Sequence, residues 1–136
     1  MQNAFNISGS GMTANKTWLD ITADNIANMN TTRTMNGGPY SRQSVTMTEK
    51  KSFENILKDS KGSGVEIASL HQDDRVRIVH DPSHPDANED GYVAYPEINI
   101  SAEMTNLLMA QRGYEANTTV FNTAKQLAEK TLTIGK

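Results

Sequence analysis

Two stretches at the ends of the chain repeat small and apolar residues at alternating intervals of three and four. This periodicity constrains the fold more than any other feature of the sequence. Near the N-terminus the positions are Ile7, Gly11, Ala14, Trp18, Ile21, Asn25 and Asn28. Near the C-terminus they are Ala110, Gly113, Asn117, Val120, Ala124, Leu127, Thr131 and Ile134. Seams of this kind are what two α-helices present to one another in a coiled coil. Met12, Leu19 and Ile26 widen the first stripe; Leu107, Tyr114, Phe121 and Ala128 flank the second. The first helix is expected to start at Ser8 or Ser10 as N-cap and to end near Asn28–Thr32, ahead of Gly37-Gly38-Pro39. The second is expected to run about 30 residues, roughly 45 Å at 1.5 Å per residue. Taken alone, either stripe also fits an ordinary amphipathic core helix.

Charge follows the same division. Residues 1–32 and 101–136 together hold 10 charged residues, whereas residues 33–100, of the same combined length, hold 19. The ends therefore have long faces that avoid charge, and the middle resembles an exposed surface. The polarity of the chain is largely neutral, with 13 Asn and 14 Thr. Polar Asn25, Asn28, Asn117 and Thr131 stand where a stable two-helix coil would carry Leu or Ile, and polar seam residues specify register at a cost in stability. The expected organisation is mainly α: an N-terminal helix within 1–32, a C-terminal helix within 101–136, paired as a coiled coil, and a small irregular β-containing middle, 33–100. An isolated pair with such seams is expected to be marginal and to need neighbouring chains. The alternative is that the middle segment covers its remaining stripe.

In the middle, Val45-Thr46-Met47-Thr48, Gly64 to Leu70 and Arg75 to Val79 read as short strands, the last alternating charged and apolar side chains. Lys58 to Gly64 reads as a hairpin or flexible loop.

Charge, hydropathy and residue content exclude several function classes. The net charge is −3 with no basic run longer than Lys50-Lys51, unlike the basic stripe of a nucleic-acid binder. No apolar stretch approaches the roughly 20 residues that span a bilayer. The absence of cysteine removes disulfides, thiolate metal sites and Cys nucleophiles. No basic residue precedes Lys16 and no apolar core follows Met1, so no cleaved secretory signal is expected.

Residues 86–97 match the calcium-loop pattern D-x-N-x-D-G-x5-E through Asp86, Asn88, Asp90, Gly91 and Glu97. A calcium-binding interaction module using this loop is the second functional reading. Pro82 and Pro85 deny it an incoming helix and Pro96 stands where the outgoing one should run, so an Asx-rich turn is preferred. His80 and His84, with Asp81 and Asp86, lie in the same Pro-broken loop and define no metal site. No nucleophile–base pair is legible, and neither catalysis nor a cofactor is expected.

Ile7-Ser8-Gly9-Ser10-Gly11-Met12-Thr13-Ala14, Leu19-Asp20-Ile21 and Ala23-Asp24-Asn25-Ile26-Ala27-Asn28-Met29-Asn30-Thr31 resemble the N-terminal signature of bacterial flagellar rod and hook proteins. Gln111-Arg112-Gly113-Tyr114-Glu115-Ala116-Asn117 resembles the matching C-terminal signature. Asp24 departs from the usual Asn, and Gly113 from the usual Ala. Asn30-Thr31-Thr32-Arg33, Gly37 to Arg42 and Asp81 to Pro96 resemble, more narrowly, a proximal rod subunit. The resemblance implies a structural subunit of the proximal rod, a drive shaft crossing the periplasm, that polymerises helically through paired terminal helices. It further implies partners of the same kind, namely other copies and other rod proteins, and export through the flagellar type III apparatus. Glu97 completes the calcium pattern where the family often has another residue, and no metal role is implied. The residues expected to carry assembly are Trp18, Ile21, Asn25, Ile26 and Asn28, with Tyr114, Asn117, Val120, Phe121 and Leu127.

Overall fold

A computed structural model describes residues 2–51 and 63–134. Helix α1 (Gln2–Ala27) is followed by β1 (Arg42–Glu49), β2 (Val65–Asp73), β3 (Val76–His80), β4 (Tyr92–Pro96) and helix α2 (Ile100–Ile134). Two long terminal helices thus flank a small antiparallel β-containing middle, as the helical periodicity and the strand-like segments predict.

The start of α1 differs from expectation. Ser8 and Ser10 lie inside the helix and cap nothing: the Ser8 hydroxyl donates to the Ala4 carbonyl at 2.6 Å, and Ser10 to the Ile7 carbonyl at 2.8 Å. Serine hydroxyls bond backward in this way in mid-helix positions, which is why a serine alone does not mark a helix start. At its other end α1 stops where the sequence indicates. Asn28 donates its side-chain amide to the Asp24 carbonyl at 3.0 Å, and a turn at 28–30 leads out. Helix α2 has a capped start: Asn99 Oδ1 accepts from the backbone N–H groups of Ser101 at 3.0 Å and Ala102 at 3.2 Å. It is 35 residues long, so it exceeds its expected length.

The four strands form two separate two-stranded antiparallel sheets. In the first, Arg42 pairs with Asp73 and Glu49 with Val65, with an irregularity between Thr46 and Met47. Of the segment expected to form a hairpin or flexible loop, residues 58–62 lie outside the described residues. Ser63 and Gly64 extend the ladder to Lys50. In the second sheet Val76 pairs with Pro96 and His80 with Tyr92. Strand β4 was not expected, because its residues were absorbed into the calcium-loop pattern. Its inward face carries fully buried Val93 opposite Val79, and Arg77 stacks 5.6 Å from the Tyr95 ring centroid. Pro96 closes the strand at a non-hydrogen-bonded pair with Val76, so its missing N–H removes no bond of the ladder.

Helix α1 also covers the first sheet. Ser10 Oγ accepts from the Val65 N–H at 3.0 Å, and the Asn25 side chain bonds to Gln43. Open strand edges invite pairing with other chains, and these two helical side chains occupy one backbone position on each strand.

Candidate assembly interface

The two helices pack antiparallel, and their closest approach is made by glycines. A Cβ on Gly11 would fall 2.7 Å from Asn117 Oδ1, and one on Gly113 would fall 2.6 Å from Asn15 Oδ1. The buried positions of α1 are Ser8, Gly11, Ala14, Thr22 and Asn25, and those of α2 are Glu103, Ala110 and Ala124. All are small or polar. Close axes leave no room for large side chains at the contact line, so these rotate to its flanks. Phe5 and Phe121 meet there edge to face, with ring centroids 5.0 Å apart.

A buried polar cluster joins the C-terminal end of α1, the start of β1 and the first turn of α2. Asn25, 1% exposed, donates from Nδ2 to the Gln43 carbonyl at 2.7 Å and to Glu103 Oε2 at 3.1 Å. Its Oδ1 accepts from the Gln43 N–H at 2.9 Å and from the Tyr40 hydroxyl at 3.1 Å. The side-chain amide therefore pairs with Gln43 as an adjacent strand would. Glu103, also 1% exposed, takes two bonds on Oε1 from Arg42, from Nε at 2.8 Å and from an Nη at 2.6 Å. A buried carboxylate needs such compensation. Burial, reinforced by the charges of Asp24 and Glu103, pushes the Tyr40 hydroxyl above its ordinary pKa.

The expected assembly residues fall into two groups. Asn25 is fully buried; Asn117 and Phe121 are half-buried at the helix contact, against Gly11 and Phe5; Trp18, Ile21 and Ile26 are half-buried on α1, and Asn28 is half-buried in the turn that follows it. Tyr114, Val120 and Leu127 are exposed on the outside of the pair, Leu127 at 56%. The contact line runs through Ser8, Asn15 and Thr22 rather than Ile7 and Ile21; polar residues on a helix gave no reason to prefer them. Glu103, Arg42 and Tyr40 were missed as a cluster, because nothing local links an acid in α2 to an arginine 61 residues earlier.

The calcium pattern is dispersed. Asp86 accepts from the Thr32 hydroxyl at 2.8 Å and pairs with Arg33 at 2.5 Å. Asn88 Oδ1 accepts from the N–H groups of Asp90 at 3.1 Å and Tyr92 at 2.8 Å, forming the Asx turn that leads into β4. Glu97 lies beyond the strand, 3.8 Å from Arg75. Among the described residues no group of three or more His, Asp or Glu is placed to hold a metal ion.

Helix α2 exposes many large apolar side chains: Met104, Leu108, Met109, Val120, Leu127 and Leu132 are all more than half exposed. No described helix is long and apolar enough to cross a membrane.

Residues 5–33 match the family described as flagella basal body rod protein, and residues 89–134 match the flagellar basal body rod FlgEFG protein C-terminal family. The chain is similar along nearly all its length to the flagellar basal-body rod protein FlgC of Bacillus subtilis, 38% identical over 146 residues that cover 98% of this chain and 97% of that one. It is 34% identical over 145 residues to FlgC of Borreliella burgdorferi, covering 97% and 95%. With FlgC of Escherichia coli O157:H7 it shares 33% identity over 135 residues, covering 98% and 97%.

Proposed function

This chain belongs to the flagellar basal-body rod protein family, as a structural subunit of the rod, and we propose that it joins its neighbours through the faces its helix pair leaves exposed. The observation that carries this reading is the inversion of the pair. Small and polar residues fill its contact line, while Met104, Leu108, Val120 and Leu127 face outward. Burying a side chain of that size stabilises by roughly 1.5–3 kcal/mol, so burying several of them stabilises an assembly more than the lone chain. Residues 1–32 and 101–136 form the coiled-coil core of the assembly, and residues 33–100 lie outside it. Trp18, Ile21, Asn25, Ile26, Asn28 and Phe121 set the shape of the pair, with Asn117 at its crossing. Tyr114, Val120 and Leu127 meet neighbouring subunits, which are other copies and other rod proteins. The rod is the torque-carrying shaft in the periplasm, and the subunit reaches it through the flagellar type III export apparatus.

The test uses Leu127→Asp and Trp18→Ala in cells that depend on this chain for motility. Loss of rod incorporation by Leu127→Asp, with the purified variant retaining the parent's helical content, supports the reading. Normal motility in both variants refutes the assigned roles.

A further inference from the structure

The turn between Thr34 and Gly38 carries chemistry that the assembly reading does not use. Gly37 donates its N–H to the Thr34 carbonyl at 3.0 Å, and Thr34 donates its own to the Gly38 carbonyl at 2.9 Å. The tip therefore consists of Met35 and Asn36, both exposed, Met35 completely. Gly37 and Gly38 follow at φ of 82° and 74°, a conformation that glycine adopts without penalty. No heavy atom lies within 4 Å of where a Cβ on Gly37 would sit. Of the chain's 13 asparagines, Asn36 alone precedes a glycine. Six of the others, Asn15, Asn25, Asn28, Asn88, Asn99 and Asn117, are committed by bonds to backbone groups.

We infer that Asn36 is a site of spontaneous deamidation. The backbone nitrogen of Gly37 attacks Asn36 Cγ, forming a C–N bond. The Cγ–Nδ2 bond breaks, and ammonia leaves with the proton given up by the Gly37 amide. The product is a five-membered cyclic imide. Water then opens it: addition at the side-chain carbonyl gives aspartate, and addition at the main-chain carbonyl gives isoaspartate. Ordinarily the side chain of the next residue obstructs this attack; here there is none. The fold supplies a brake, because the attacking nitrogen is held by the Thr34 carbonyl, and the bond must open before the amide can turn toward Cγ. Either product adds a negative charge three residues from Arg33, whose partner is Asp86. Isoaspartate also lengthens the backbone by one methylene inside a turn closed by two hydrogen bonds.

The experiment incubates the purified full chain at mildly alkaline pH and cleaves after Arg33 and Arg42, which releases residues 34–42 as one peptide. Mass spectrometry reads the amide-to-acid exchange, and isoaspartate methyltransferase reads the isomer. Aspartate and isoaspartate accumulating in this peptide ahead of every other asparagine-bearing peptide, several-fold more slowly than in a synthetic 34–42 peptide, is the expected result. An intact amide in 34–42 after other asparagines have converted overturns the assignment. So does an Asn36→Gln chain that accumulates as much isoaspartate as the parent. Equal rates in the folded chain and the synthetic peptide overturn the role of the Thr34–Gly37 hydrogen bond.

Discussion

Asn15 lies over Gly113 so closely that a Cβ on the glycine would fall 2.6 Å from the asparagine Oδ1. The arrangement is reciprocal, because Asn117 lies over Gly11 in the same way. Each asparagine donates to its own helix, Asn15 Nδ2 to the Gly11 carbonyl at 2.8 Å and Asn117 Nδ2 to the Gly113 carbonyl at 2.7 Å. Each glycine thus receives the opposing asparagine against its Cα and holds its own helix's asparagine by its carbonyl. These two asparagines are satisfied within their own helices, and at this crossing the contact between helices is left to shape.

This geometry makes Gly113→Ala unfavourable although alanine is the better helix former. Alanine gains about 1 kcal/mol of propensity. It displaces Asn15, which loses a hydrogen bond of about 1 kcal/mol, and it overpacks the crossing by roughly 1–3 kcal/mol. A net loss of about 1–3 kcal/mol is expected in thermal denaturation. Changing Asn15 to Ala as well should recover most of it. Strictly additive losses in the double variant would show that the two residues do not press on one another.

Asn25 should tolerate neither truncation nor charge. Asn25→Ala leaves Gln43 and the Tyr40 hydroxyl without their partner, at a cost of about 1–3 kcal/mol. Asn25→Asp places a second carboxylate against buried Glu103, so it should melt at a lower temperature than Asn25→Ala. The opposite order in calorimetric melting would contradict the contact described between Asn25 and Glu103.

Hydrogen bonds from the Arg75 side chain and backbone, aided by its charge, hold the Asp73 carboxyl down from 3.8 to about 2. A depressed folded pKa means that the carboxylate's contribution is complete above the ordinary value and disappears as pH falls from 3.8 toward 2. The pair is exposed, so the effect on stability is small. The direct readout is the carboxyl carbon shift of Asp73 against pH. Its midpoint should move up toward the ordinary value in Arg75→Ala, and an unchanged midpoint would remove Arg75 as the cause.

Asp86 ties the turn at 31–40 to the loop before β4. Asp86→Ala should therefore raise amide exchange at Thr32 to Tyr40, while Glu97→Ala leaves those amides unchanged. Calcium should produce no heat of binding with the parent chain. Calcium-dependent heat lost in both variants would instead restore the loop as a cation site.

The helices were legible because their signal is distributed over many residues, so an error at one position, such as Ser8 taken for a cap, leaves the element intact. The three earlier strands could be read, β2 and β3 from alternation. Strand β4 could not, since Tyr92-Val93-Ala94-Tyr95-Pro96 shows little alternation and lies inside a pattern with another meaning. The identity of Asn25 and Gly113 as special positions was visible in sequence, and Gly113 stood out as a departure from the family. Their partners, Gln43 and Asn15, were not, because a backbone acceptor and a solvent-compatible polar residue carry no mark of the contact they make.

The buried cluster around Asn25 lies at one end of the helix pair, and Phe5 and Phe121 lie near the other, some 20 residues or about 30 Å along the axis. One end is pinned by directional bonds and a buried ion pair; the other is held by small buried residues, Ser8 and Ala124, and by the edge of a ring. Such a pair is a cantilever. Under twist or bending it is expected to yield first at the Phe5 end, where apolar surfaces can slide and re-form, while its root keeps the angle between helices and sheet.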